Sequence, residues 1–179
     1  MVRCFVGFLL SESSRKSLVD VQKYVESLPI KCKLVEPENL HINFSFLGEV
    51  KDENIEEIKQ KLDHIASDYK SFEAKASGLR AIPNPKFIRV IAMSVNDENN
   101  ALEKIRERVR REIGGDSKPM HLTLCRVKEV ENKEEVAQKL SEKEALIEIR
   151  FTVDSIQLIK SELSRSGPTY IPIHEARLL

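Results

Sequence analysis

Asn39-Leu40-His41-Ile42-Asn43-Phe44-Ser45-Phe46-Leu47-Gly48-Glu49-Val50 decides the fold, because its central tetrad returns later as His121-Leu122-Thr123-Leu124. Each tetrad reads histidine, apolar, small polar, apolar. Side chains alternate between the two faces of a strand, so His41 shares a face with Asn43 and His121 with Thr123. Ile42 with Phe44, and Leu122 with Leu124, fall on the opposite faces and suit a core. Two such strands, 80 positions apart (121 − 41), predict two similar lobes, each offering one imidazole and one hydrogen-bonding neighbour.

Working outward, the apolar run Cys4 to Leu10 is a strand entering Ser11-Glu12-Ser13-Ser14, which caps a helix with Leu18, Val21, Val25 and Leu28 on one face; Pro29 stops it. A short strand through Lys33-Leu34-Val35 and the turn Pro37-Glu38-Asn39 deliver the chain into the first histidine strand, which stops near Gly48. Asp52 caps a second helix carrying Ile55, Ile58, Leu62 and Ile65. Phe72 to Leu79 and Phe87 to Val95 are antiparallel strands flanking a turn at Ile82-Pro83-Asn84-Pro85. Asn96 or Asp97 caps a third helix, with Leu102, Ile105, Val109 and Ile113 inward and Gly114-Gly115 ending it. Lys118-Pro119-Met120 leads into the second histidine strand, to about Val127. Asn132 opens a short fourth helix around Val136 and Leu140. Ala145 to Leu163 is strand-rich with a bend at Asp154-Ser155, residues 164–168 form a loop, and Thr169 to Ile173 is the last strand.

This order predicts an α+β fold: two pseudo-symmetric lobes of mostly antiparallel sheet, helices outside, a central cleft between them, and one bilobal domain over residues 1–179. The hydrophobic content of 41% is enough for a core, and the formal net charge of zero excludes a generally basic nucleic-acid sponge. Cys4, Cys32 and Cys125 lack paired spacing, so neither a disulfide framework nor a zinc site is indicated, and a reducing, cytoplasmic setting fits. The apolar start of the chain is too short for a membrane span and reads as a strand rather than a signal peptide.

Two imidazoles facing one cleft are what acid–base cleavage of a phosphoester needs, one accepting a proton from water and the other donating to the departing oxygen. Asn43 and Thr123 can hold phosphoryl oxygens. No His-x-His, no His-Glu-x-x-His and no carboxylate cluster adjoins either histidine, so a metal is not indicated. His64, between core positions of a helix, reads as surface, and His174 has no partner motif. Phe46 reads first as a core filler and second as a surface for stacking a base. Lys118 and Arg89 read as solvated charges near turns, or as positive charge for the cleft.

PENLHINFSFLGEV, GLRAIPNP with FIRVI, HLTLCRVK and LIKSELSRSGPTY, in this order, resemble the 2′-5′ RNA ligase / RNA 2′,3′-cyclic phosphodiesterase family of two-histidine phosphoesterases over essentially the whole chain. The resemblance implies opening of RNA 2′,3′-cyclic phosphates to 2′-phosphates without metal or nucleotide cofactor, and reversible, ATP-independent 2′-5′ joining of RNA ends. It implies RNA ends as partners, tRNA fragments among them, and a monomer. His41 and His121 match the catalytic histidines, with His121 as base and His41 as acid, an order the residues themselves leave open. Thr123 matches the phosphate-binding threonine, and Asn43 departs from the threonine expected in the first motif. Arg126 matches an arginine used near the phosphate; strict alternation places it on the face opposite His121, so a bulge, twist or strand end must re-aim it. The Asn43 departure motivates a second reading, an RNA-end binding or ligation-assisting module with weak hydrolysis. A third is a phosphodiesterase for another small cyclic phosphate.

Overall fold

The computed structural model describes residues 1–143, 147–165 and 167–179. In chain order the elements are β1 (Val2–Leu9), α1 (Glu12–Glu26), β2 (Ile30–Leu34), a 3₁₀ turn (Pro37–Asn39), β3 (His41–Val50), α2 (Asp52–Ala66) and β4 (Phe72–Asn84). There follow β5 (Phe87–Asn96), α3 (Ala101–Glu112), β6 (His121–Val130), α4 (Lys133–Glu142), β7 (Glu148–Val153), β8 (Ser155–Leu163) and β9 (Pro168–Arg177). The expected strand start at Ala145 and the loop residue Ser166 lie outside the described residues.

Where a cap is local in sequence, its reading holds. Ser11 Oγ accepts from the Ser14 amide at 3.4 Å, and Asn132 Oδ1 from the Glu135 amide at 3.0 Å, satisfying first-turn donors of α1 and α4. At α2 the cap position is Lys51 and makes no side-chain cap; Asp52 is the first helical residue, where its charge suits the helix dipole. At α3 the cap position is Asn100, in the left-handed region at φ 53°, while Asp97 reaches forward to accept from the Ala101 and Leu102 amides at 2.8 and 2.9 Å. The turn expected at residues 82–85 sits later: β4 runs to Asn84, whose Oδ1 accepts from the Lys86 and Phe87 amides at 3.0 and 3.1 Å. Pro83 is tolerated within the strand because the register slips between Ile82 and Pro83, where a donor is not required. The last strand is longer than expected, since β9 pairs with β8 from Pro168 to Arg177.

Among the described residues all the paired strands are antiparallel and form one nine-stranded sheet in the order β7-β4-β5-β6-β3-β1-β8-β9, with β2 attached to β6. The sheet has two halves, β3-β1-β8-β9 and β6-β5-β4-β7. Among the described residues they are joined by one ladder pair, Ile42 with Leu122. Away from that pair the two histidine strands part. The edge of β6 passes to β2, through Leu34–Cys125 on to Ile30–Val130. The edge of β3 passes to the connector before β6, with Phe46 and Asp116 exchanging backbone hydrogen bonds of 2.8 and 2.9 Å. This gives the two-lobed α+β architecture with a cleft along β3 and β6.

The helices cover the Ile42/Leu122 face. Leu18, Leu62, Ile65, Leu102, Ile105 and Val136 join Ile42, Phe44, Leu122 and Leu124 in one buried cluster. Packing of their apolar stripes removes that face from water and leaves the histidine face uncovered. One close approach fixes the join: a Cβ on Gly7 would lie 2.5 Å from the Ile42 carbonyl oxygen, so only glycine fits where β1 crosses β3. Among the described residues no helix is long and apolar enough to cross a membrane.

Candidate active site

His41 and His121 stand at the first positions of β3 and β6, and the Ile42–Leu122 pairing sets both imidazoles, with Asn43 and Thr123, on the uncovered face. All four side chains are half-buried. Among the described residues, neither the Asn43 amide nor the Thr123 hydroxyl makes a hydrogen bond within the protein. Both are left free to meet a ligand.

The imidazoles are anchored alike. His41 Nδ1 lies 2.7 Å from the Asn39 carbonyl oxygen, and His121 Nδ1 lies 2.8 Å from that of Pro119, in each case two residues upstream. A carbonyl only accepts, so each Nδ1 carries the hydrogen and each Nε2 is left with a lone pair in the neutral ring. Symmetry extends to the strand irregularities. In the β1–β3 ladder Gly7 faces Asn43 and Val6 faces Ser45, leaving Phe44 unpaired; in the β5–β6 ladder Ala92 faces Thr123 and Ile91 faces Cys125, leaving Leu124 unpaired. Each strand therefore carries a bulge at the same place, with two consecutive buried residues, Phe44-Ser45 and Leu124-Cys125. Alternation resumes in the opposite phase beyond it. The bulge returns Arg126 to the histidine face, resolving the mismatch that strict alternation creates.

Arg126 is exposed and makes no ion pair among the described residues. Its charge is felt across the cleft: together with that of His121 it lowers the pKa of His41. Burial is the largest cause of that lowering, and the Asn39 carbonyl opposes it. Phe46, the first-lobe counterpart of Arg126, is brought to the same face by its own bulge. The core placement expected for it is corrected: Phe46 stands outside the buried cluster, half-exposed, with the Arg3 guanidinium 4.9 Å from its ring centre.

The site also holds residues that the sequence reading passed over. Phe5 and Tyr170 flank the His41 ring at centroid distances of 5.0 and 4.9 Å, and they meet each other at 5.0 Å. Asn39 holds this aromatic cradle together. Its Nδ2 donates to the Pro168 carbonyl at 2.7 Å, its Oδ1 accepts from the Tyr170 amide at 3.2 Å, and its carbonyl receives His41. Burial raises the Tyr170 pKa, with Arg126 and Arg3 opposing, so its hydroxyl stays protonated. Tyr170 belongs to the SGPTY block, and Phe5 is one aromatic residue in an apolar run; nothing local marks either as a neighbour of His41.

The other candidates are placed elsewhere. His64 is exposed on α2, and His174 Nε2 sits 2.7 Å from Asp63 Oδ1, tying β9 to α2. Lys118 is exposed beside Asp116 at 3.7 Å, and Arg89 is exposed with its guanidinium 4.7 Å from the Phe87 ring centre. Among the described residues no group of three His, Cys, Asp or Glu side chains is arranged to hold a metal ion.

The whole chain has relatives. It is 29% identical over 182 residues to the RNA 2′,3′-cyclic phosphodiesterase of Methanothermobacter thermautotrophicus, with 99% of each chain covered. It is 32% identical over 184 residues to the protein of the same name from Aquifex aeolicus, covering 98% of this chain and 96% of that one. In fold it is similar to the Thermus thermophilus protein TT0787, with a TM-score of 0.80 at 23% identity, covering 98% of this chain and 97% of that chain. Escherichia coli LigT in its complex with 3′-AMP gives a TM-score of 0.75 at 19% identity, covering 99% and 98%. The profile of the LigT-like phosphoesterases matches residues 9–92 and 94–170, which takes in both histidine strands and the start of β9 to Tyr170. The chain belongs to the LigT-like phosphoesterase family.

Proposed function

We propose that the protein opens 2′,3′-cyclic phosphates at RNA ends to 2′-phosphates. The observation that carries this reading is the matched pair of imidazoles, each held through Nδ1 by a carbonyl two residues upstream, beside unengaged Asn43, Thr123 and Arg126. A cyclic phosphate seated between the rings has its non-bridging oxygens near the Thr123 hydroxyl, the Asn43 amide and the Arg126 guanidinium. His121 Nε2 takes a proton from water as the oxygen attacks phosphorus. The P–O3′ bond breaks, and His41 Nε2 gives its proton to O3′, leaving a 2′-phosphate and a free 3′-hydroxyl. RNA as the substrate is supported by the names of the relatives, and a nucleotide ligand by the 3′-AMP complex of LigT. If an RNA 5′-hydroxyl replaces water, the same proton transfers make a 2′-5′ linkage. The cyclic diester already carries the phosphoryl group to be transferred, so ATP is not required. The RNA ends it would meet include those of tRNA fragments, and one chain holds every group this mechanism uses, so a monomer suffices.

The test is hydrolysis of an oligoribonucleotide ending in a 2′,3′-cyclic phosphate, in EDTA, with the product end identified. The expected product is a 2′-phosphate, formed at the same rate with and without chelator; a 3′-phosphate product, or loss of activity in EDTA, overturns the reading. The need for both rings is tested by pH, and the division of roles by the leaving group. A lowered pKa makes the His41 imidazolium a stronger acid, suited to protonating O3′, and the arriving phosphate anion favours its protonated form. Because one ring must be protonated and the other neutral, kcat/KM, which titrates the free protein, is expected to be bell-shaped in pH, with one limb set by His41 below the ordinary imidazole value of about 6.5. The kcat profile, which titrates the complex, holds to higher pH. A substrate with sulfur in place of O3′, a leaving group that needs no proton, should rescue His41→Ala and not His121→Ala; the reverse pattern makes His41 the base.

Asn43 motivates the second reading, a binding or ligation module with weak hydrolysis. The structure gives the longer amide room: its cross-strand partner is Gly7, where Thr123 faces Ala92. An amide so placed still donates a hydrogen bond, and Asn43→Thr is expected to change kcat by less than about tenfold, less than the loss of a whole donor. A gain well beyond that would show hydrolysis weakened in the native chain and favour the second reading.

A further inference from the structure

We propose that Arg80, with the hollow beside it, binds the nucleotide on the 5′ side of the cyclic-phosphate end and so selects oligoribonucleotide ends over free cyclic mononucleotides. This rests on the phosphodiesterase reading and concerns which substrate that site accepts. Arg80 faces Ala92 across the β4–β5 ladder, and Ala92 faces Thr123 across the β5–β6 ladder. Direct cross-strand partners share a face, so Arg80 stands on the histidine face in line with Thr123. Two strand spacings separate their backbones, roughly 10 Å. That is too far for the phosphate between the imidazoles and suits the next one along the strand. Ala92 between them is short and buried, so no side chain blocks the line.

Arg80 is exposed and makes no ion pair among the described residues. Its charged neighbours are committed elsewhere: Arg106 is bound by Glu103 and by Ser117 Oγ, and the Asp97 carboxylate caps α3. Among the described residues Arg80 is thus the guanidinium at the hollow that no carboxylate holds; the hollow measures about 420 Å³ and reaches the residues just before His121, Pro119 and Met120. That volume is in the range of small-ligand sites. Ser94, Asn96 and Asn100 line it with the hydroxyl and amide groups that a base or ribose edge takes, and Met120 adds apolar surface.

The experiment compares native protein, Arg80→Ala and Arg80→Lys on a cyclic-phosphate-ended oligoribonucleotide and on free 2′,3′-cyclic AMP. Arg80→Ala is expected to raise KM for the oligonucleotide about tenfold with kcat little changed. Loss of one phosphate contact should also reduce the slope of log kcat/KM against log salt by about 0.7, the single-strand value. The cyclic mononucleotide should be cleaved as by native protein, and Arg80→Lys should restore much of the oligonucleotide KM. An Arg80→Ala protein unaffected on the oligonucleotide, or equally impaired on both substrates, overturns the assignment. If native protein cleaves the cyclic mononucleotide but Arg80 variants behave as native, only this inference falls. If it cleaves neither substrate, the phosphodiesterase reading falls with it.

Discussion

Alanine at His41 or at His121 is expected to lower kcat/KM on a cyclic-phosphate-ended oligoribonucleotide by about 10²–10⁴, the range for removing a positioned proton donor or acceptor. Neither loss is explained by unfolding. The core cluster contains Ile42 and Leu122 but neither histidine, and the Pro119 carbonyl loses one donor near solvent while the buried Asn39 loses one at its carbonyl. His41→Ala is the more disturbing of the two, because it empties the space between Phe5 and Tyr170; circular dichroism and a melting curve separate that cost from the chemical one. The double variant should be little worse than either single variant, since one proton transfer without the other stalls the same step. A single variant that folds and keeps full activity removes the two-imidazole mechanism, and independent, multiplying losses would mean that the rings act in separate steps.

The parts of this site that were legible in the sequence are those fixed by neighbours along the chain. Period-two alternation places His41 with Asn43 and His121 with Thr123, and the polar caps Ser11 and Asn132 begin their helices where expected. The parts that were not legible depend on pairing across strands. Ser45 is polar yet fully buried, its Oγ donating to the Gly114 carbonyl at 2.6 Å, so the apolar pattern gives no sign that Phe44 and Ser45 point the same way. Cys125 hides the second bulge in the same manner. Strict alternation consequently leaves Arg126 in need of a bulge it cannot locate and sends Phe46 to the core, and both have one cause. The cradle of His41 is less local still, joining Phe5, Asn39 and Tyr170 through β1, the 3₁₀ turn and β9. Even the cap of α3 depends on loop geometry, Asp97 reaching past Asn100 to Ala101 and Leu102.

Arg126 is where that bulge has its largest consequence. Arg126→Ala is expected to lower kcat by about 10²–10³, the cost of removing a donor aimed at charge that develops in the transition state. Arg126→Lys should recover only part, because an ammonium keeps the charge and loses the planar fork that meets two phosphoryl oxygens. A purely structural arginine would affect the fold instead, yet this side chain is exposed and pairs with no carboxylate among the described residues, so its removal leaves packing intact. A second readout follows from its field at His41. Since the Arg126 charge helps to depress the His41 pKa, removing it must raise that pKa. The limb of the kcat/KM profile that reports His41 should then move to higher pH, and a ring-proton NMR titration of His41 should move with it. Arg126→Lys, which retains the charge, should leave the titration near its native position while still losing rate. Activity and titration both unchanged in Arg126→Ala would mean that the bulge points the side chain away from the cleft. A shifted titration with full activity would leave Arg126 as an electrostatic neighbour of His41 and move phosphate binding to Thr123 and Asn43.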